Sequence, residues 1–106
     1  MKKNILLVCA AGMSTSLLVT KMRKAAENQG VEANIFALSA SEADSEIDKG
    51  ELDVILLGPQ VRFMKNQFEQ KVAGKNLPVE VIDMKDYGTM NGEKVLGYAL
   101  DLIEGK

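Results

Sequence analysis

The strongest constraint in this sequence is a pair of short runs that are apolar at every position, Ile5-Leu6-Leu7-Val8 and Val54-Ile55-Leu56-Leu57. A strand with one face in water alternates polar and apolar residues, whereas an unbroken run suits a strand buried on both faces of a parallel sheet. Parallel neighbours need crossover connections, and helical patterns stand where crossovers are required. From Leu17 to Asn28, Leu18, Met22, Ala25 and Ala26 fall at helical spacing, and Gly30 supplies a stop. Val31 to Leu38 suits a second strand, and Ser39 with Glu42 forms a capping-box pattern opening a short acidic helix that runs to about Lys49 and ends at Gly50. After the third strand, Asp53 to Gly58, a helix from about Gln60 carries Val61, Met64, Phe68 and Val72 on its inner face. Val79, Val81 and Ile82 make a fourth strand, Asp83 to Met90 reads as a loop, and Val95, Leu96, Ala99, Leu102 and Ile103 stripe a last helix.

Unbroken βα alternation predicts an α/β fold: a small, four-stranded, mainly parallel open sheet in the order 2-1-3-4, with helices on both faces, of flavodoxin-like type. Residues 1–106 are read as a single domain, with no linker, repeat or low-complexity segment. Ligands of such sheets bind at the carboxyl ends of the strands. Attention therefore falls on Cys9 to Ser16, Leu38 to Ser41, Gly58 to Gln60 and Asp83 to Gly88.

Composition narrows the chemistry. With no histidine and one cysteine, the chain holds no Ser-His or Cys-His dyad, no His-ligated zinc and no intrachain disulfide. Thirteen basic and fifteen acidic residues, a net charge of −2, offer no large field for nucleic acid or an anionic membrane. No metal or cofactor is expected. The opening Met-Lys-Lys has the basic character of a signal peptide, but the apolar run from Ile5 to Ala11 ends in glycine and hydroxyls and falls short of the roughly 20 residues of a membrane span. The expectation is a cytoplasmic protein with a reduced thiol and no inserted segment.

The segment Cys9-Ala10-Ala11-Gly12-Met13-Ser14-Thr15-Ser16 lies between the first strand and first helix, where a phosphate cradle belongs. Small residues and Gly12 let backbone N–H groups converge on an anion, Ser14, Thr15 and Ser16 add hydroxyls, and the helix start adds positive potential. A thiol at the mouth of such a nest ionises more readily, which would make Cys9 a thiolate nucleophile without a histidine base. Against this stands the commoner role of a lone cysteine after an apolar strand, a small buried hydrophobe. The spacing also invites comparison with Cys-x5-Arg-Ser, the loop of low-molecular-weight tyrosine phosphatases, which form a phosphocysteine on a similar sheet. Here Thr15 takes the arginine's place, removing the fork that would clamp a transferring phosphoryl group. Loss of one preorganised donor costs about 2.7–4 kcal/mol of transition-state stabilisation. Such a loop disfavours hydrolysis yet can still accept phosphate from an activated donor.

Three segments, Val8 to Val19, Leu56 to Gln60, and Pro78 to Asp83 with Tyr87-Gly88, give the chain a resemblance to the IIB components of the lactose/cellobiose class of the phosphoenolpyruvate-dependent sugar phosphotransferase system. The resemblance covers nearly the whole chain and leans to cellobiose or chitobiose. It implies a phosphotransferase in which Cys9 becomes a phosphocysteine, receiving phosphate from a phosphohistidine of the IIA protein. The phosphate would pass to a sugar held by the membrane component IIC, at the inner face of the membrane.

Three further residues admit two readings each. Gln60 either faces the phosphocysteine or belongs to a Gly-Pro strand-to-helix turn. Asp83 stands where the phosphatases keep their general acid, or caps a loop or helix. Tyr87 lies on that same loop. Lys21, Arg23 and Lys24, with Arg62 and Lys65, either steer an acidic partner or form a solvated face, and Met13 either contacts partners or tucks into the core. Two rival functions stay open: a phosphatase-like hydrolase using the same Cys9 intermediate, and a non-catalytic anion- or partner-binding module.

Overall fold

In the computed structural model, which describes residues 2–9 and 13–105 with residues 13–15 as backbone only, the apolar run at the start of the chain is the inner strand β1 (Lys3–Cys9). It pairs in parallel with β2 (Ala33–Ser39) on one side and β3 (Val54–Leu57) on the other, and β3 pairs in parallel with β4 (Val79–Val81), giving the order β2-β1-β3-β4. This is the predicted sheet, entirely parallel.

The lack of alternation in β1 has a direct cause. Ile5 and Leu7 enter one core with Leu18 and Met22 of α1 (Met13–Gln29) and Leu96 of α5 (Gly92–Glu104). Leu6 and Val8 enter a second core on the opposite face, with Ala43 and Ile47 of α2 (Ala40–Lys49) and Phe68 of α3 (Lys65–Lys71). All four β1 residues are fully buried, and each contributes about 1.5–3 kcal/mol relative to exposure. The α-helices of the described residues divide between the two faces, as a doubly covered sheet demands.

Local signals set the helix ends. Gly50 closes α2 and Gly105 closes α5, each in the left-handed region with φ of 72° and 80°. The Glu42 carboxylate accepts from the Ser39 N–H at 3.2 Å and from the Ser39 hydroxyl at 2.9 Å, holding the start of α2 as the capping-box pattern predicted. Asn91 caps α5 by accepting from the Lys94 N–H at 3.1 Å. Along β2, the Ile35 carbonyl accepts from Arg23 Nε of α1 at 2.8 Å.

Three expectations need correction. First, α1 begins at Met13 rather than near Leu17, so residues 13–16 form its first turn. Hydroxyl-bearing residues carry no apolar period, so the sequence hides a helical turn there. Second, the stretch from Gln60 is not one α-helix. A 3-10 helix (Pro59–Met64) with a kink at Val61 (φ −115°, ψ 21°) precedes α3, although Val61, Phe68 and Val72 are buried as the stripe required. Third, Asp83 to Met90 is not a loop but holds the short helix α4 (Met84–Gly88), which buries only Tyr87 and so leaves no repeating pattern. Arg23, read as either a steering charge or part of a solvated face, is exposed and donates from Nε to the Ile35 carbonyl of β2. Among the described residues, no helix is long and apolar enough to cross a membrane.

Candidate functional site

Cys9 is the last residue of β1 and ends at the carboxyl edge of the sheet, in register with Ser39 of β2. By strand alternation it faces the same side as Ile5 and Leu7, the layer covered by α1 and α5. Only 2 % of its surface is exposed. Burial of this degree suits both a structural cysteine and a thiol shielded from bulk water, so the surroundings must separate the two readings.

Those surroundings are organised by a missing side chain. Gly58 follows β3, and its N–H donates to the Val8 carbonyl at 2.9 Å, which places it beside the β1 terminus. A Cβ at Gly58 would lie 3.0 Å from Gln60 Oε1, 3.5 Å from the Val8 carbonyl oxygen and 3.7 Å from Tyr87 Cε2. The bare position therefore lets the Gln60 amide and the Tyr87 ring converge beside the Val8 carbonyl near the end of β1, one from the 3-10 turn and the other from α4. Tyr87 is buried within the α1–α5 core, while the Gln60 residue is exposed. Of the sequence-predicted auxiliary residues, Gln60 and Tyr87 are thus brought together at the β1 terminus.

Asp83 is not. Its Oδ1 accepts from the Lys85 N–H at 2.8 Å and caps α4, the second of the readings offered for it. It lines a separate cleft of about 340 Å³ with Asp86, Val95 and Tyr98.

In the predicted phosphate loop, Ala10, Ala11 and Gly12 lie outside the described residues, as do the side chains of Met13, Ser14 and Thr15. Ser16 is exposed in the first turn of α1, and its carbonyl accepts from Thr20 Oγ1 at 3.1 Å. Among the described residues, no cluster of three or more His, Cys, Asp or Glu could hold a metal ion.

Two residues escaped the sequence reading. Phe63 and Met84 are 78 % and 63 % exposed, and both line an open groove of about 670 Å³ with Gln60, Arg62, Tyr87 and Gly88. Phe63 falls off the Val61-Met64-Phe68 stripe, and an aromatic residue on the outer face of a helix was the available signal. On the other side of Cys9, at the end of β2, Ser39 donates to Glu42 and lies 3.1 Å from the Ser41 hydroxyl. The Ser39 hydroxyl first, and its N–H second, hold the Glu42 carboxyl below its usual range. Among the described residues, the carboxyl edge is therefore polar beside β2 and carries an open groove with two exposed apolar side chains beside β3.

Comparison with known proteins supplies the remaining observation. Residues 4–97 match the family described as "PTS system, Lactose/Cellobiose specific IIB subunit". The chain is 49 % identical over 104 residues to a cellobiose-specific EIIB component of Lactococcus lactis, covering 95 % of this chain and 96 % of that one. It is 45 % identical over 101 residues to an oligo-beta-mannoside-specific EIIB component of Bacillus subtilis, with the same 95 % and 96 % coverage. Among solved structures, a cellobiose-specific IIB component from Borrelia burgdorferi superposes with a TM-score of 0.81 at 44 % identity, covering 100 % of this chain and 95 % of the other. A lactose-specific IIB domain from Streptococcus pneumoniae, at 19 % identity and a TM-score of 0.82 over 95 % of this chain and 97 % of its own, shares the fold. The chain therefore belongs to the lactose/cellobiose-specific IIB subunits of the phosphotransferase system, phosphotransferases that work in one system with IIA and IIC components.

Proposed function

We propose that residues 1–106 act as one phosphocarrier domain in which Cys9 takes a phosphoryl group from a IIA phosphohistidine and gives it to a cellobiose- or chitobiose-type sugar entering through IIC. The observation that carries this reading is the position of Cys9 in a chain of this family. The sole cysteine of a chain without histidine ends an inner strand at the carboxyl edge of the sheet, immediately before the segment that leads into α1.

The chemistry is balanced in two steps. In the first, the sulfur attacks phosphorus in line, the S–P bond forms as the N–P bond breaks, and the imidazole of the donor leaves with the thiol proton. In the second, a sugar hydroxyl attacks the same phosphorus, the S–P bond breaks, and the hydroxyl proton returns to sulfur. A phosphohistidine is an activated donor, so the acceptor supplies mainly position and stabilisation of phosphoryl charge. Burial of Cys9 favours an intermediate that outlasts contact with water. The two named relatives differ in sugar, cellobiose and oligo-beta-mannoside, at 49 % and 45 % identity. That spread supports a carrier indifferent to the sugar, with selection in IIC. The work would take place in the cytoplasm, at the inner face of the membrane.

Incubation with phosphoenolpyruvate, enzyme I, HPr and a IIA protein should add one acid-sensitive phosphoryl group, absent from Cys9→Ser. Unchanged labelling of that variant would overturn the reading, as would steady, Cys9-dependent phosphate release from an aryl phosphate.

A further inference from the structure

Of the six asparagines in the chain, only Asn91 precedes a glycine. That pair is chemically labile. With no side chain on the following residue to hinder ring closure, the backbone nitrogen of Gly92 can attack Cγ of Asn91. The new N–Cγ bond closes a succinimide as the bond from Cγ to the side-chain nitrogen breaks, and ammonia leaves with the proton that Gly92 has lost. Water then opens the ring at one carbonyl to give an ordinary aspartyl link, or at the other to give an isoaspartyl link. The isoaspartyl main chain is longer by one carbon atom.

The fold opposes the first step at each point. The Asn91 amide oxygen accepts from the Lys94 N–H at 3.1 Å, which ties the side chain to the start of α5 and keeps it from swinging back over its own following peptide. The Gly92 N–H donates to the Met90 carbonyl at 3.0 Å, and Gly92 is buried, so that proton is shielded from solvent base. The Asn91 N–H donates to the Asp86 carbonyl at 2.9 Å, and the Asn91 carbonyl accepts from the Val95 N–H at 3.1 Å. Gly92 also sits hard against α1, where even a Cβ would come within 2.5 Å of the Lys21 carbonyl carbon. One neighbour pulls the other way: Met90 holds φ at 52°, a left-handed conformation disfavoured for a residue with a Cβ and relieved when the junction opens.

We propose that Asn91-Gly92 is a deamidation site gated by the seating of α5 on α1: intact while α5 is docked, reactive when its first turn opens, and locked open by the isoaspartyl product. Opening frees the side-chain amide and the Gly92 N–H together, so the rate follows the population of the opened junction. The aspartyl product still caps α5, because a carboxylate accepts from the Lys94 N–H and suits a helix N-terminus. The isoaspartyl product does not fit. Its extra main-chain atom falls between the cap and a glycine that lacks room for a methyl group, and it pushes the following Val95 and Leu96 out of register with their core.

The test is incubation of the full chain at neutral pH, folded and in denaturing urea, followed by peptide mapping that separates aspartyl from isoaspartyl forms of residue 91. The folded chain should deamidate at least about tenfold more slowly than the denatured one. Val95→Ala, confirmed as folded by circular dichroism, loosens the seating of the first turns and should speed the folded-state reaction about tenfold. The isoaspartyl fraction, returned to native buffer, should melt several degrees below both wild type and Asn91→Asp. Equal rates in the folded and denatured chain, or no reaction in urea, would overturn the proposal. So would a folded-state rate unmoved by Val95→Ala, or an isoaspartyl chain that melts like Asn91→Asp.

Discussion

Gly92→Ala adds a single methyl group where α5 begins against α1, and the structure sets its cost. A Cβ at this buried position would lie 2.5 Å from the carbonyl carbon of Lys21, 2.7 Å from Lys21 Cβ and 2.7 Å from the Met22 backbone nitrogen. Comfortable carbon contacts begin near 3.5 Å, so the two helices must separate locally by about 1 Å. The obstructing atoms belong to the body of a 17-residue helix, and no rotamer change relieves them. Moving α1 would also loosen Leu18 and Met22, which are fully buried against the sheet. Overpacking of this kind costs about 1–3 kcal/mol, and a clash with backbone belongs at the upper end. Better helix propensity returns at most about 1 kcal/mol, leaving a net loss of about 2 kcal/mol or more. In a domain of this size that lowers Tm by roughly 8–16 °C. Gly97→Ala provides the contrast within the same helix, because no heavy atom lies within 4 Å of its Cβ position. There only the propensity gain acts, about 0.5–1 kcal/mol of stabilisation. Circular-dichroism melts and urea titrations of the two variants beside wild type decide the matter. A Gly92→Ala protein as stable as wild type, or two glycine variants shifted alike, would refute the reasoning.

Acid stability and the bare position at Gly58 give two further predictions. The Glu42 carboxyl is held below its usual 4.5, first by the Ser39 hydroxyl and then by the Ser39 N–H; its stabilising share is therefore complete above about pH 4.5 and disappears as pH falls through the lower folded-state value. Ser39→Ala should move the Glu42 titration, followed by NMR, upward toward 4.5 and flatten the acid limb of the stability profile, and an unmoved titration would contradict this cause. Gly58→Ala displaces only the flexible Gln60 amide, at 3.0 Å, so stability should change by less than about 1 kcal/mol. Phosphoryl acceptance on Cys9 should nevertheless fall severalfold, because the methyl occupies space beside the β1 terminus; unimpaired acceptance would count against a role for that space.

The sheet was legible in the sequence because β1 and β3 are buried on both faces, and double burial writes itself as an uninterrupted apolar run. The stripes of α1 and α5 were legible for the complementary reason, since each buries one side of a long helix. Helix α4 was not, because five residues burying a single tyrosine contain no period to detect. The 3-10 turn shared its inward residues with α3 and passed for the beginning of that helix. At the site, Cys9 stood out as the only cysteine beside glycine and hydroxyls. Gln60 and Tyr87 could be placed at the right end of the sheet, but their convergence depends on the side chain that Gly58 lacks. Asp83 carried its capping role in its position before a helix start, and that role stayed hidden while the helix did.

The bond from Arg23 to the Ile35 carbonyl has a bearing on self-association. As an outer strand of an open parallel sheet, β2 would otherwise present its free edge as a template onto which another chain could add. A guanidinium seated on an edge carbonyl interrupts that template midway along the strand, so an incoming strand would have to strip away a charged donor before it could pair. The opposite edge, β4, is only three residues long. A chain that exposes Phe63 and Met84 at one end must resist sticking to itself elsewhere. Both outer edges of the sheet are thereby made poor templates for an added strand.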